Sequence, residues 1–233
     1  MAKDRPQRLV ILLSGRGSHF ENLHRNVHAN SLINAEIVGV IADRADAAGL
    51  AKAQRLGVAT ALVRPDRHSS SNQFEHALVT QIRDWHADWV ILAGFMRILT
   101  PTALMPFEGR MLNIHPSLLP KYKGLDTHRR ALEAGDGEHG ASVHFVTAAL
   151  DGGPVLSQVR MRIDKTDTAT DLAERLLPLE HQLMQASVAL LTRHAVEYRN
   201  EDIAIDGQNL VNPMVLGRDL DVTGHWQPHC PSQ

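Results

Sequence analysis

RLVILLSGRGSHFENLHRNVHAN, residues 8–30, is the stretch whose reading decides the fold. After Arg8, residues 9–13 are apolar with β-branched Val10 and Ile11, which predicts over 8–13 a strand buried on both faces. The loop 14–17 follows at once, and residues 19–30 carry a helical pattern. A buried strand running through a glycine turn into a helix is the start of a parallel α/β sheet.

Outward from it the same unit recurs. Further strands are predicted at 37–42, 58–63, 89–93 (WVILA) and 110–114, with helices at 46–56 (stopped by Gly57), at 72–85 and near 101–106. Beyond a proline-containing loop at 116–124, a helix is predicted over 126–134. Strands follow at 141–147 and 155–163, and a long helix at 167–193 that Pro178 should kink or interrupt. Asp206-Gly207 suits the turn of a small hairpin, and 225–233 reads as frayed. The expectation is a single-domain α/β fold, an open, mostly parallel twisted sheet with helices on both faces. Its bounds are a flexible arm at 1–7, the domain at 8–212 and a partly disordered tail at 213–233.

Composition narrows the function. In 233 residues, 43% are hydrophobic, 21% are charged and the net charge is −2, so no global attraction to nucleic acid or an anionic membrane is expected. No secretory leader or bilayer-length apolar run is visible. One cysteine, Cys230, offers no intrachain disulfide. The cytoplasm is the default compartment, and a monomer or a homodimer is expected.

Three patterns carry chemistry. Ser14-Gly15-Arg16-Gly17-Ser18 lies between strand and helix, where glycines let backbone approach a ligand and free N–H groups favour a phosphate. Without Gly-Lys-Ser/Thr it is not a Walker loop, and taken alone it suits equally a tight turn that binds nothing. Asn113-Ile114-His115-Pro116 ends a strand, with Asn113 and His115 two apart and so on one side. Together they suit an oxyanion site; the alternatives are an Asn bonding its own loop and a buried His paired with a backbone carbonyl. Leu150-Asp151-Gly152-Gly153-Pro154 is by itself a turn. Brought beside His115, its carboxylate should raise the imidazole pKa and help move a proton.

These residues resemble the phosphoribosylglycinamide formyltransferases of purine synthesis. The resemblance runs through Leu92-Ala93-Gly94-Phe95-Met96-Arg97-Ile98-Leu99, the stretch from Leu112 to Tyr122, His139-Gly140, Ser142 to Val146 and Leu150 to Val155, over roughly residues 8 to 200. It implies formyl transfer from 10-formyltetrahydrofolate, as co-substrate, to the amine of a phosphorylated ribosyl glycinamide, on a Rossmann-like formyltransferase fold and with no metal. The implied catalytic trio is Asn113, His115 and Asp151. Met96, Arg97, Ile98 and Leu99, with Asn113, are implied for the folate. Gly17, Ser18, His19, Gly94, Pro116 and Glu180 are implied for the nucleotide, and His144 for support of the trio.

Three positions depart from the family pattern: His19 where Asn is frequent, Ser71 where some members carry a folate-contacting Arg, and Ala148. Other readings fit parts of the sequence. His24 and His28, spaced i, i+4, suit a metal pair but lack a third ligand. A non-catalytic nucleotide-binding module needs the glycine loop without the trio. A methionyl-tRNA formyltransferase normally has a further carboxyl-terminal domain, and a formyltetrahydrofolate hydrolase an extra amino-terminal one.

Overall fold

The computed structural model describes residues 5–29, 33–199 and 201–227. Part of the expected arm (1–4), the last residue of the first predicted helix (Asn30), Cys230 and the end of the tail (228–233) lie outside the described residues. Contacts divide the chain into two compact units, one up to Asn113 together with Phe145–Ala149, the other Ile114–His144 with the chain from Leu150 onward.

The first unit alternates as predicted: β1 (Gln7–Leu13), α1 (Ser18–Ala29), β2 (Ala35–Ala42), α2 (Ala48–Arg55), β3 (Thr60–Leu62), α3 (Ser71–Asp84), β4 (Trp89–Leu92), the short α4 (Pro101–Leu104) and β5 (Met111–His115), which runs on past Asn113. The strands pair in parallel in the order β5-β4-β1-β2-β3. Leu9 to Leu13 are fully buried, as a strand covered on both sides requires. Val10, Leu12, Ile41, Val90 and Leu92 pack with Phe74, Leu78 and Ile82 of α3. Helix α1 buries Phe20, Leu23, His24 and Val27, the i, i+3, i+4, i+7 stripe of a helix laid on a sheet.

The second unit begins with α5 (Thr127–Glu133), β6 (Glu138–Phe145), β7 (Val155–Arg162) and α6 (Ala169–Arg193). Strands β6 and β7 are antiparallel. Of the two outcomes the sequence predicts at Pro178, a kink or an interruption, the interruption does not occur: α6 continues through it. Pro178 lies on the exposed face, where water satisfies the carbonyl its missing N–H leaves behind. Leu172, Leu176, Leu183 and Met184 hold the helix from its buried side. The expected hairpin is a three-stranded sheet of β8 (Val196–Arg199), β9 (Asp202–Ile205) and β10 (Gln208–Asn209), with Asp206 and Gly207 at positive φ between the last two.

Within 213–233, read from sequence as a tail, the chain adds β11 (Met214–Val215) parallel to β7. Gly224 presses on α6, where a Cβ would meet the Ala189 carbonyl carbon at 2.4 Å. Two-residue strands and a glycine contact carry no hydrophobic period, so pattern reading passes over them. The α/β class with an open, mostly parallel sheet flanked by helices is the one the sequence predicts.

Candidate active site

In the first unit, the glycine loop leaves β1 at Ser14 and enters α1 at Ser18. Gly17 has φ +68°, and a Cβ there would meet Gly49 Cα of α2 at 2.6 Å. The Gly49 N–H donates to the Gly15 carbonyl at 3.0 Å. Two glycines face to face thus let α2 back the loop directly. Ser18 and His19, both half-buried, begin the first turn of α1.

The segment after β4 lacks regular structure, yet it is held at three points. The Met96 N–H donates to Ser14 Oγ at 2.9 Å, Arg97 Nε donates to Asp43 Oδ2 at 2.8 Å, and the Thr100 N–H donates to Glu75 Oε1 at 2.8 Å. Phe95 and Leu99 are buried, whereas Met96 and Ile98 are about 70% exposed. Gly94, at φ +77°, turns the chain out of the strand. Asn113, half-buried on β5, stands in register opposite Leu92.

The second unit brings His115, Asp151 and His144 together. His115 Nδ1 lies 3.4 Å from Asp151 Oδ2, and His144 Nε2 lies 3.6 Å from Asp151 Oδ1. His115 and His144 are almost wholly buried at the ends of β5 and β6. Asp151 sits at φ +45° in the loop between β6 and β7, a left-handed position that Asp tolerates better than most residues.

The loop after Pro116 orients this cluster with backbone groups. His115 Nε2 is 2.9 Å from the Tyr122 carbonyl, and the Gly124 N–H donates to Asp151 Oδ2 at 2.8 Å. A carbonyl only accepts, so Nε2 carries the proton and donates. The loop is fixed from beneath: the Leu119 N–H donates to Ser142 Oγ, Ser142 Oγ donates to the Ser117 carbonyl, and Gln158 Nε2 donates to the Leu119 carbonyl. Tyr122 and Gly124 were not singled out in the sequence, because their contribution is made by main-chain atoms. Buried Ser142 and Gln158 left little signal, because β6 and β7 carry several other polar residues.

The electrostatics correct one expectation. Burial pushes the His115 pKa below its ordinary value, and the Tyr122 carbonyl and Asp151 charge pull it back only in part. The anticipated rise from the carboxylate is present but smaller than the desolvation of a nearly enclosed imidazole. For Asp151, burial alone pushes the pKa up. The contact with His144, the Gly124 N–H and the two imidazole charges outweigh it, so the carboxyl titrates below its usual range. Burial thus disfavours the charged imidazole of His115, while the groups around Asp151 favour its ionised carboxylate.

Glu180, buried on α6, raises the His115 pKa through its charge. It acts likewise on His128 and His139, whose ring nitrogens are 2.9 Å apart. Pro116 directly follows His115 and starts the orienting loop. His24 and His28 contact edge to face at 4.1 Å between ring centres on α1. Among the described residues no group of three or more potential metal ligands is assembled, and no helix is long and apolar enough to cross a membrane.

Residues 7–188 match a family model described as "Formyl transferase". The phosphoribosylglycinamide formyltransferase of Escherichia coli (strain K12) is 40% identical over 202 residues, covering 87% of this chain and 95% of that protein. Among solved structures, the phosphoribosylglycinamide formyltransferase of Coxiella burnetii, in complex with CHES, superposes with a TM-score of 0.87 at 38% identity. The match covers 91% of this chain and 99% of that one. Glycinamide ribonucleotide transformylase 1 of Symbiobacterium toebii gives 0.82 at 35% identity, covering 87% and 95%.

Proposed function

The chain belongs to the formyl transferase family, and from that premise we propose that it is a phosphoribosylglycinamide formyltransferase. It moves the formyl group of 10-formyltetrahydrofolate to the amine of 5-phosphoribosylglycinamide, giving the N-formyl nucleotide and tetrahydrofolate, in purine synthesis in the cytoplasm. The observation that carries the reading is the buried His115 with the Asp151 carboxylate 3.4 Å from its Nδ1. Both substrates are small molecules, and neither metal nor nucleic acid takes part.

In this reading the neutral amine attacks the formyl carbon, the carbonyl π pair moves onto oxygen, and a tetrahedral intermediate forms. The Asn113 carboxamide N–H and the His115 N–H stabilise that oxyanion. In the resting chain the His115 Nε2–H donates to the Tyr122 carbonyl. Exchanging a neutral acceptor for an anionic one strengthens the bond as charge develops. Asp151, through water, takes the proton of the attacking nitrogen and delivers it to the folate nitrogen as the C–N bond breaks. His144 supports Asp151.

Met96, Arg97, Ile98 and Leu99 contact the folate, and Gly17, Ser18 and His19 take the nucleotide phosphate. Gly94, Pro116 and Glu180 complete the nucleotide side. His19 retains a backbone N–H and a ring donor in place of the more frequent Asn. No nucleophilic side chain is needed, so transfer is direct. Rapid quench with formyl-labelled folate should show label passing to the nucleotide without a formylated enzyme; trapped label on protein would overturn direct transfer.

A further inference from the structure

We propose that Asp43 is a positioning residue for folate binding, acting through Arg97 to hold the Met96–Leu99 segment in its binding conformation. The proposal rests on the functional reading above and adds to it a residue outside the segment itself.

Asp43 follows the last residue of β2, and only 4% of it is exposed. Its Oδ2 accepts from Arg97 Nε at 2.8 Å, across 54 residues of sequence. Its Oδ1 is buried and has no hydrogen-bond partner among the described residues. The neighbouring cation, Arg44, is engaged with Asp46 instead, at 2.8 Å. A buried carboxylate with one oxygen unmatched is a poor way to gain stability, because desolvation offsets most of what a single ion pair returns. What it holds, rather than stability, accounts for a carboxylate in this place.

Between the buried ends Phe95 and Leu99, residues 96–98 are exposed and form neither helix nor strand. Such a span has few backbone hydrogen bonds to define its shape. Ser14 fixes the Met96 N–H and Glu75 fixes Thr100. Asp43 holds the middle of the span through the Arg97 side chain, which is itself 45% exposed. Two exposed apolar side chains on either side of Arg97, Met96 and Ile98, are thereby available to a ligand. Loss of Asp43 leaves the ends anchored and the centre free, which weakens preorganisation for one ligand rather than the chemistry.

The test is a kinetic and double-mutant comparison of the full chain. Asp43→Ala should raise KM for 10-formyltetrahydrofolate about tenfold, the size of a directly coupled pair. Its kcat and its KM for the nucleotide should stay within about twofold. Asp43→Asn keeps an acceptor for Arg97 Nε and should recover most of the loss. Asp43→Ala/Arg97→Ala should be no worse than Arg97→Ala alone. Should the alanine variant not fold by circular dichroism, Asp43→Ser, too short to reach Arg97, takes its place with the same expectation.

An unchanged folate KM, a fall in kcat alone, or effects that multiply in the double variant would overturn the proposal. Wild-type chain without nucleotide-dependent folate turnover would overturn the functional reading, and this inference with it. Active wild type with an indifferent Asp43→Ala removes the inference only.

Discussion

At the scale of single residues, the account turns on how His115 is held. A buried imidazole between a carbonyl and a carboxylate should titrate below 6.5, and His115 C2–H chemical shifts against pH will show it. In Asp151→Asn the charge that raises its pKa is gone, so the midpoint should fall further; a rise would contradict the assignment of forces. His115→Ala and Asp151→Asn should each lower kcat at least about a hundredfold, as loss of an oxyanion donor or proton carrier does. Near-wild-type turnover in either variant removes that residue from the mechanism. The sequence made Asn113 and His115 neighbours by strand alternation, but Asp151 alone read as a turn residue. The Tyr122 carbonyl and the Gly124 N–H were invisible there, because any side chain at those positions leaves the same main-chain groups.

At the scale of elements, the glycine loop and its backing helix are one device. Gly49→Ala adds a Cβ that would meet Leu13 Cδ2 at 2.6 Å and Gly17 Cα at 3.2 Å. Overpacking of about 1–3 kcal/mol should exceed the helix-propensity gain of about 1 kcal/mol. Chemical denaturation should therefore show a less stable chain, and the nucleotide KM should rise as the loop is displaced. A stabilised variant with unchanged KM would show that the close approach is unimportant. At the start of α6, Thr168 and Asp171 bond reciprocally to each other's backbone N–H. Thr168→Ala should cost about 1 kcal/mol by the same measurement. The strand–helix alternation of the first unit was legible because β1, β2 and β4 are built on apolar runs and α1 carries an amphipathic stripe. The unbroken α6 was not, since proline's penalty depends on whether the freed carbonyl faces water, which only packing reveals.

At the scale of the molecule, stability should depend on pH through buried His139 and its half-buried partner His128. His139 titrates near 6.5 in an unfolded chain but at about 4 in the fold, where burial and the neighbouring His128 keep it neutral. Between those values the unfolded state binds the additional proton, so stability falls as pH falls, by up to about 1.4 kcal/mol per pH unit. His139→Gln should flatten the dependence of the thermal midpoint over that window; an unchanged slope would place the acid sensitivity elsewhere. The segment from β8 to Trp226 was the least legible part of the fold, with short strands and glycine contacts in place of a periodic core. The functional claim rests on family membership and the His115–Asp151 pair together. It is tested most directly by following 10-formyltetrahydrofolate turnover with and without phosphoribosylglycinamide. Tetrahydrofolate should form only when the nucleotide is present, one for each N-formyl nucleotide produced. Turnover indifferent to the nucleotide, with formate released to water, would contradict the account.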